Sequence, residues 1–168
     1  MDMHYEFLVR TALIGGGATL LMDAWALLLR RFGIPSLNFA FLGRWLGHLI
    51  RRGTWRHPSI GQAPPIPAER ALGWTAHYAI GLSFAAVLLV CFGLDWARAP
   101  TLFPALLIGL LTVVAPLFIL QPALGAGIAS RKTARPLFNV AKSFVTHAVY
   151  GFGLFLAATV TAPLFGVR

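Results

Sequence analysis

Residues 71–94 read ALGWTAHYAIGLSFAAVLLVCFGL, a run that contains no formally charged side chain. A bilayer core of ~30 Å is crossed by about 20 apolar residues in an α-helix, so the run is long enough to span a membrane. It begins shortly after Pro67 and Glu69, and a proline and a carboxylate are both favourable in the first turn of a helix. The run therefore predicts a transmembrane helix over residues 69–94.

Three other apolar stretches have the length of a membrane span. The first is interrupted only by Asp23, and the second contains Pro104, Pro116 and Pro122, each of which removes a helix donor and favours a bend. The predicted helices cover residues 9–31, 101–126 and 141–165. The whole chain is therefore predicted to form one all-α domain, an integral membrane bundle of four transmembrane helices.

The composition agrees with a lipid environment. Hydrophobic residues make up 58% of the chain and charged residues 11%, whereas ordinary soluble domains carry roughly 25% charged residues. The net charge of +9 comes from basic residues that lie between apolar runs rather than along one water-facing surface, so no nucleic-acid partner is expected. The single cysteine, Cys91, lies inside an apolar run and provides neither a disulfide framework nor a metal-binding pair.

Basic residues are concentrated in two of the predicted loops. Eleven of the 14 lysines and arginines lie between the first and second helices or between the third and fourth. An excess of Lys and Arg in short loops marks the cytoplasmic side. The sequence therefore predicts a multi-pass protein of a bacterial inner membrane, with both termini outside the cytoplasm and with Arg10, Arg98 and Arg168 on that outer side.

The first of these loops contains an amphipathic segment over residues 36–52, with Ser36 as the expected N-cap. A helical wheel places seven apolar residues on one arc and Arg44, His48 and Arg51 on the other. We expect this interfacial helix to lie flat on the membrane, either as a brace, which is favoured, or as a lid or headgroup-binding surface. The residues predicted to contact anionic lipid headgroups are Arg44, Trp45, His48, Arg51 and Arg52.

An extended tether is predicted over residues 58–67, which contain four prolines. The tether leads back to the second transmembrane helix. His4, His48 and His57 lie at or outside the membrane interface in this scheme and are expected to be surface residues.

Three ionisable side chains lie inside the predicted spans: Asp23, His77 and His147. Such groups are costly in lipid, and they usually face a bundle interior or a water-filled cavity. Their offsets from the flanking basic residues place them ~12, ~10 and ~8 Å beneath the cytoplasmic surface, at about 1.5 Å per residue. Gln121 lies at the same depth if Pro122 opens the helical backbone at that point. The sequence thus predicts one polar binding layer to which each helix contributes a group.

Each of the three ionisable groups lies on a stripe of small residues. The stripes are Gly15, Thr19 and Asp23; Gly73, His77 and Gly81; and Ser143, His147 and Gly151. Residues four apart share a helix face, and small residues allow close helix approach in lipid. Tyr78 and Tyr150 flank the layer, and ordinary packing is favoured over a hydrogen-bonding role for both.

The residue types leave several roles open. Asp23, His77 and His147 could hold a divalent metal such as zinc, iron or manganese, although their wide spacing carries no metal signature. The same trio could relay protons or bind a substrate cation, since histidine titrates near neutral pH. A haem held by the two histidines is the least favoured role. A structural hydrogen-bonding role, worth about 1 kcal/mol, is the most favoured single one.

The functional hypothesis is an inner-membrane protein whose layer of Asp23, His77, His147 and Gln121 binds a cation, a proton or a small polar substrate in transport. The alternatives are a membrane-embedded metal-dependent enzyme, with Glu69 or Asp23 as base, and a non-catalytic accessory subunit of a membrane complex. The sequence contains no nucleophile-elbow, zinc-protease, Walker or dinucleotide motif, so an enzyme is disfavoured. Besides the bilayer, a second copy of the chain or a larger membrane complex is the expected partner.

Six groups of residues are distinctive in combination: Gly17, Ala18, Thr19, Met22 and Asp23; Gly43, Arg44 and Trp45; Glu69, Arg70, Gly73, Trp74, His77 and Tyr78; Pro100, Thr101, Pro104 and Ala105; Gln121, Pro122 and Gly125; and His147. Together they resemble an uncharacterised bacterial family of small four-helix inner-membrane proteins, catalogued as a domain of unknown function. The resemblance spans nearly the whole chain. It implies the same membrane fold and transfers no activity.

Overall fold

The computed structural model describes residues 2–165, and the regular elements in that range are all helical. Four helices are long and apolar enough to cross a membrane: Met3–Arg31, Glu69–Arg98, Leu102–Leu124 and Pro136–Phe165. The predicted all-α class with four such helices is confirmed, and these helices indicate a multi-pass membrane protein. Arg168, which the sequence places on the outer side, lies outside the described residues. The α-helices are α1 (Met3–Arg31), α2 (Phe39–Arg52), α3 (Glu69–Arg98), α4 (Leu102–Leu111), α5 (Gln121–Leu124) and α6 (Pro136–Thr161).

Several helix ends differ from the predicted ones. α1 begins at Met3 rather than at residue 9, and α6 begins at Pro136 rather than at residue 141. α3 continues to Arg98, past Gly93, whose φ of 75° interrupts the helical path at a residue that tolerates this conformation. α2 begins at Phe39 because the side chain of Asn38, not that of Ser36, accepts a hydrogen bond from the Ala40 N–H at 3.0 Å.

The third span is not one continuous α-helix. Pro104 lies in the first turn of α4, where the missing N–H would have no helical partner, so the helix is not interrupted there. After α4 the chain passes through a π-helical turn, Ala115–Leu120, which contains Pro116. α5 then closes at Gly125, whose φ of 99° is the left-handed conformation that ends many helices. The irregularity expected from the prolines thus lies around Pro116.

One compact unit consists of residues 2–34, 78–112 and 145–165. Its core is built from small and aliphatic side chains, among them Ile14, Ala18, Leu88 and Leu154, all fully buried. The helices approach through small residues: a Cβ added to Gly109 would lie 2.5 Å from Gly151 Cα, and one added to Gly153 would lie 2.9 Å from Ala18 Cα. Close backbone approach is the packing expected of helices in lipid, where apolar burial gives no driving force.

The second unit consists of residues 35–77 and 113–144, and its core contains Leu42, Trp45, Ile60 and Ala123. α2 packs against the first turns of α3 at Gly43 and Gly73, where neither position has room for a Cβ. The segment that follows α2 is only partly extended, since Ile60–Gln62 form a turn of 3₁₀-helix. α2 therefore buries one face in protein. The predicted contact of this helix with lipid headgroups stays a prediction.

Candidate functional site

The intramembrane carboxylate has a hydrogen-bond donor from another span. The Tyr78 hydroxyl on α3 donates to Asp23 Oδ2 on α1 at 3.0 Å, and both side chains are half-buried. The small-residue stripe beneath Asp23 explains this approach, because Thr19 fills the space where a side chain at Gly81 would lie. The sequence had favoured ordinary packing for Tyr78. The structure shows that Tyr78 also forms a hydrogen bond.

His147 lies in the same unit, on α6, and is 8% exposed. The Thr112 hydroxyl donates its one hydrogen to the Gly109 carbonyl at 2.6 Å, so it accepts from Nδ1–H of His147 at 2.9 Å. This network assigns the proton of the neutral ring to Nδ1 and leaves the lone pair on Nε2. The close contact of Gly109 with Gly151 brings α4 near enough to α6 for Thr112 to reach the ring.

Tyr150 holds α6 to α3 rather than serving the polar layer. Its hydroxyl donates to the Gly81 carbonyl at 2.6 Å, and the residue is 2% exposed. Like Tyr78, this residue is a hydrogen-bond donor as well as a packing aromatic, since a buried phenol needs a partner.

His77 and Gln121 lie in the second unit. The His77 ring stacks on Phe39 with centroids 4.3 Å apart and an interplanar angle of 30°. Gln121 Oε1 accepts from Ser130 Oγ at 3.0 Å, which ties α5 to the loop after it. The four predicted layer residues thus divide between the two units, and their assembly into one site stays a prediction.

No group of three or more histidine, cysteine, aspartate and glutamate side chains is placed to hold a metal ion among residues 2–165. The metal trio of Asp23, His77 and His147 therefore rests on the sequence alone.

A second buried charge in the first unit was missed by sequence reasoning, which assigned Arg10 only to topology. Arg10 is 1% exposed, and its Nε donates to Glu6 Oε1 at 2.9 Å while Nη1 donates to the Ala97 carbonyl at 2.8 Å. Arg98 donates to the other oxygen of Glu6 at 2.9 Å. The spacing of four between Glu6 and Arg10 was the available signal, since such pairs share a helix face.

In the second unit, Arg44 is a structural residue. It forms a two-point ion pair with Glu69, both N···O distances being 2.8 Å, and it donates to the carbonyls of Ile60 and Ala63 at 3.2 and 3.0 Å. The hydrogen bonds to Glu69 raise the pKa of Arg44 above its usual value. Burial lowers this pKa, and the negative charge of Glu69 raises it further. Since both oxygens of Glu69 are engaged, this carboxylate is not available as the base that the enzyme alternative requires.

The expectation that His48 and His57 are surface residues is wrong: they are 5% and 8% exposed. Their rings lie 5.0 Å apart between centroids, and His48 Nε2 lies 2.9 Å from the Pro64 carbonyl. The backbone N–H of His57 donates to the Ala123 carbonyl at 2.9 Å, which holds the segment after α2 against the end of α5. The signal in the sequence was the proline-rich stretch itself, which folds back over the helix instead of leading away from it.

The chain belongs to a family described as protein of unknown function (DUF2938), whose model matches residues 12–161. The resemblance to an uncharacterised family is thereby confirmed. No curated protein and no solved structure matches the chain. The family assignment supplies no activity, so any function must be argued from the side chains themselves.

Proposed function

We propose that this chain is a bacterial inner-membrane protein that binds a proton, a cation or a small polar substrate at Asp23 in the course of transport. The proposal is supported by the hydrogen bond of 3.0 Å from the Tyr78 hydroxyl to Asp23, which joins two membrane-spanning helices. An ionisable group inside a span is costly and usually marks an ion path, a proton relay or a substrate site. A carboxylate held between two spans is the type of group that attracts a cation.

His147 supports a second polar station in the same unit. Because Thr112 holds the ring with its proton on Nδ1, the Nε2 lone pair can accept a hydrogen bond from a substrate. In the proposal His77 and Gln121 complete the layer. The excess of basic residues in the first and third loops supports a position of this layer in the cytoplasmic half of the membrane.

The test is labelling of the purified protein in lipid with a hydrophobic carbodiimide, which reacts with a protonated carboxyl group in an apolar site. We expect mass spectrometry to find the label on Asp23, with a yield that falls as pH rises and that Na⁺, K⁺ or Mg²⁺ reduces if that ion binds. Tyr78→Phe removes the hydroxyl group and is expected to raise the yield, because this donor no longer engages Oδ2 of Asp23. The exposed Asp95 is the internal control, since its labelling should not change with Tyr78→Phe.

A flux measurement completes the test. Proteoliposomes that contain a pH-sensitive dye are given a proton or cation gradient, and Asp23→Asn is compared with the unmodified chain. Loss of flux in the variant supports transport. Equal flux in both proteins, together with labelling that no ion alters, would leave Asp23 a packing residue and the chain an accessory subunit.

A further inference from the structure

A cavity of about 370 Å³ lies at the end of α2, and the second unit alone forms it. Its polar lining comes from six side chains, and the rest of the lining is proline and alanine. The volume falls within the range of small-molecule sites, about 300–1,000 Å³. The six polar residues are His48, Arg52, Thr54, His57, Ser59 and Gln62.

The lining selects for an anion. None of the lining residues is acidic, and each of the six polar side chains can donate a hydrogen bond. The carboxylate of Glu69, which acts on His48, is already held at both oxygens by Arg44. Near the end of α2, the carbonyls of Leu49 and His48 accept hydrogen bonds from the N–H groups of Gly53 and Thr54, so these two carbonyls do not oppose an anion.

A buried polar atom in this lining has no partner. His57 is 8% exposed, and its Nε2 is buried without a hydrogen-bond partner in the described part of the chain. Buried polar atoms in native proteins are nearly always paired, so an unpaired one calls for an explanation. A bound acceptor in the cavity would supply the missing hydrogen bond.

We propose that this cavity binds a phosphoryl group, with Arg52 as the cationic anchor and with His57, Thr54, Ser59 and Gln62 as further donors. A guanidinium matches phosphate oxygens with paired donors, and a phosphate offers enough acceptors for several neutral donors as well. The cavity has room for a small organic substituent on the phosphate. The site is independent of Asp23.

The site predicts that anion binding and protonation are coupled. Burial, and then the neighbouring His48, lower the pKa of His57. The titratable group that acts on His57 is His48, and Arg52 lines the same cavity. The charges of Arg44 and Glu69 are engaged with each other in an ion pair. A bound phosphoryl group stabilises the charged ring, so affinity should rise as pH falls through the pKa of His57.

Binding is measured by calorimetry on the full chain in detergent with three probes: inorganic phosphate, glycerol 3-phosphate and a soluble glycerophosphodiester. Vesicles that contain phosphatidic acid or phosphatidylcholine form the lipid arm. Arg52→Gln is expected to weaken binding about tenfold or more, since a charge-assisted hydrogen bond is lost. Arg51→Gln is the matched control, because this neighbour carries the same charge and does not line the cavity.

The phosphodiester isolates the histidine, because its charge does not change near neutral pH. Its affinity should rise as pH falls in the unmodified chain and should rise less in His57→Gln, which retains His48 in the lining. If His57→Gln does not fold, Ser59→Ala removes a half-buried donor instead and is expected to weaken binding about threefold.

The outcomes are distinct. Binding of the soluble probes with loss in Arg52→Gln supports a free phosphate ester as ligand. Retention of phosphatidic acid alone, with the same loss, supports a lipid headgroup. Equal effects of Arg51→Gln and Arg52→Gln, or no binding of any probe, overturn the proposal, and neither result bears on labelling at Asp23.

Discussion

Two arginines, Arg10 in the first unit and Arg44 in the second, are neutralised in the same way in different surroundings. Each pairs with one glutamate, and each donates to backbone carbonyls of a segment distant in sequence. The side chain of Arg10 is 1% exposed and lies within a membrane span, whereas that of Arg44 is 11% exposed and lies on the loop helix α2.

The difference lies in what each arginine joins. Arg10 reaches the Ala97 carbonyl near the end of α3 and covers the Phe165 ring at 4.0 Å, so it connects membrane-spanning helices. Arg44 collects carbonyls of the segment between α2 and α3, from the Ile60–Gln62 turn and from Ala63 after it. A basic residue counted toward membrane topology can therefore also be a buried structural residue.

Removing the carboxylate from the span should have the largest effect. Glu6→Gln leaves the Arg10 guanidinium without its carboxylate, and breaking a buried pair in this way costs about 3 kcal/mol. We expect a lower midpoint in detergent-driven unfolding followed by circular dichroism. Asp95→Asn is the control, since it also removes one carboxylate charge, and Asp95 is an exposed residue that pairs with Arg98. A Glu6→Gln variant as stable as Asp95→Asn would show that Arg10 is not buried as described.

The fold follows from the sequence because lipid imposes a length on each helix. Long apolar runs located all four spans, and the 3.6-residue period located α2. Helix ends were harder to predict. Ser36 and Asn38 are both good N-caps, and only the geometry of the Asn38 side chain decides between them.

The candidate site could be predicted only in part. Asp23 and His147 stand out because ionisable groups are rare in spans. Their partners do not, because Tyr78 and Thr112 lie 55 and 35 residues away in sequence, and only the packing of glycines brings them close. The burial of His57 depends on a contact with Ala123 that no local pattern encodes.

The equivalent substitution in the loop should have a smaller effect on stability. Glu69→Gln removes the charge that faces Arg44, but the guanidinium keeps its backbone carbonyls and some contact with water, so we expect a loss of about 2 kcal/mol. A double-mutant cycle with Arg44→Gln isolates the pair from the rest of the loop. Additive effects of the two changes would mean that the carbonyl contacts, not the ion pair, hold the loop.

The smallest effect separates charge from shape at Arg44. Arg44→Lys keeps the positive charge but replaces a planar fork, which meets both oxygens of Glu69 and the carbonyls behind it, with a single ammonium. We expect a loss of about 1 kcal/mol in the same unfolding measurement, corresponding to one charge-assisted hydrogen bond. Arg51→Lys, on the exposed side of α2, is the control and should leave stability unchanged. If Arg44→Lys is as stable as Arg51→Lys, charge alone is sufficient and the loop does not depend on the guanidinium geometry.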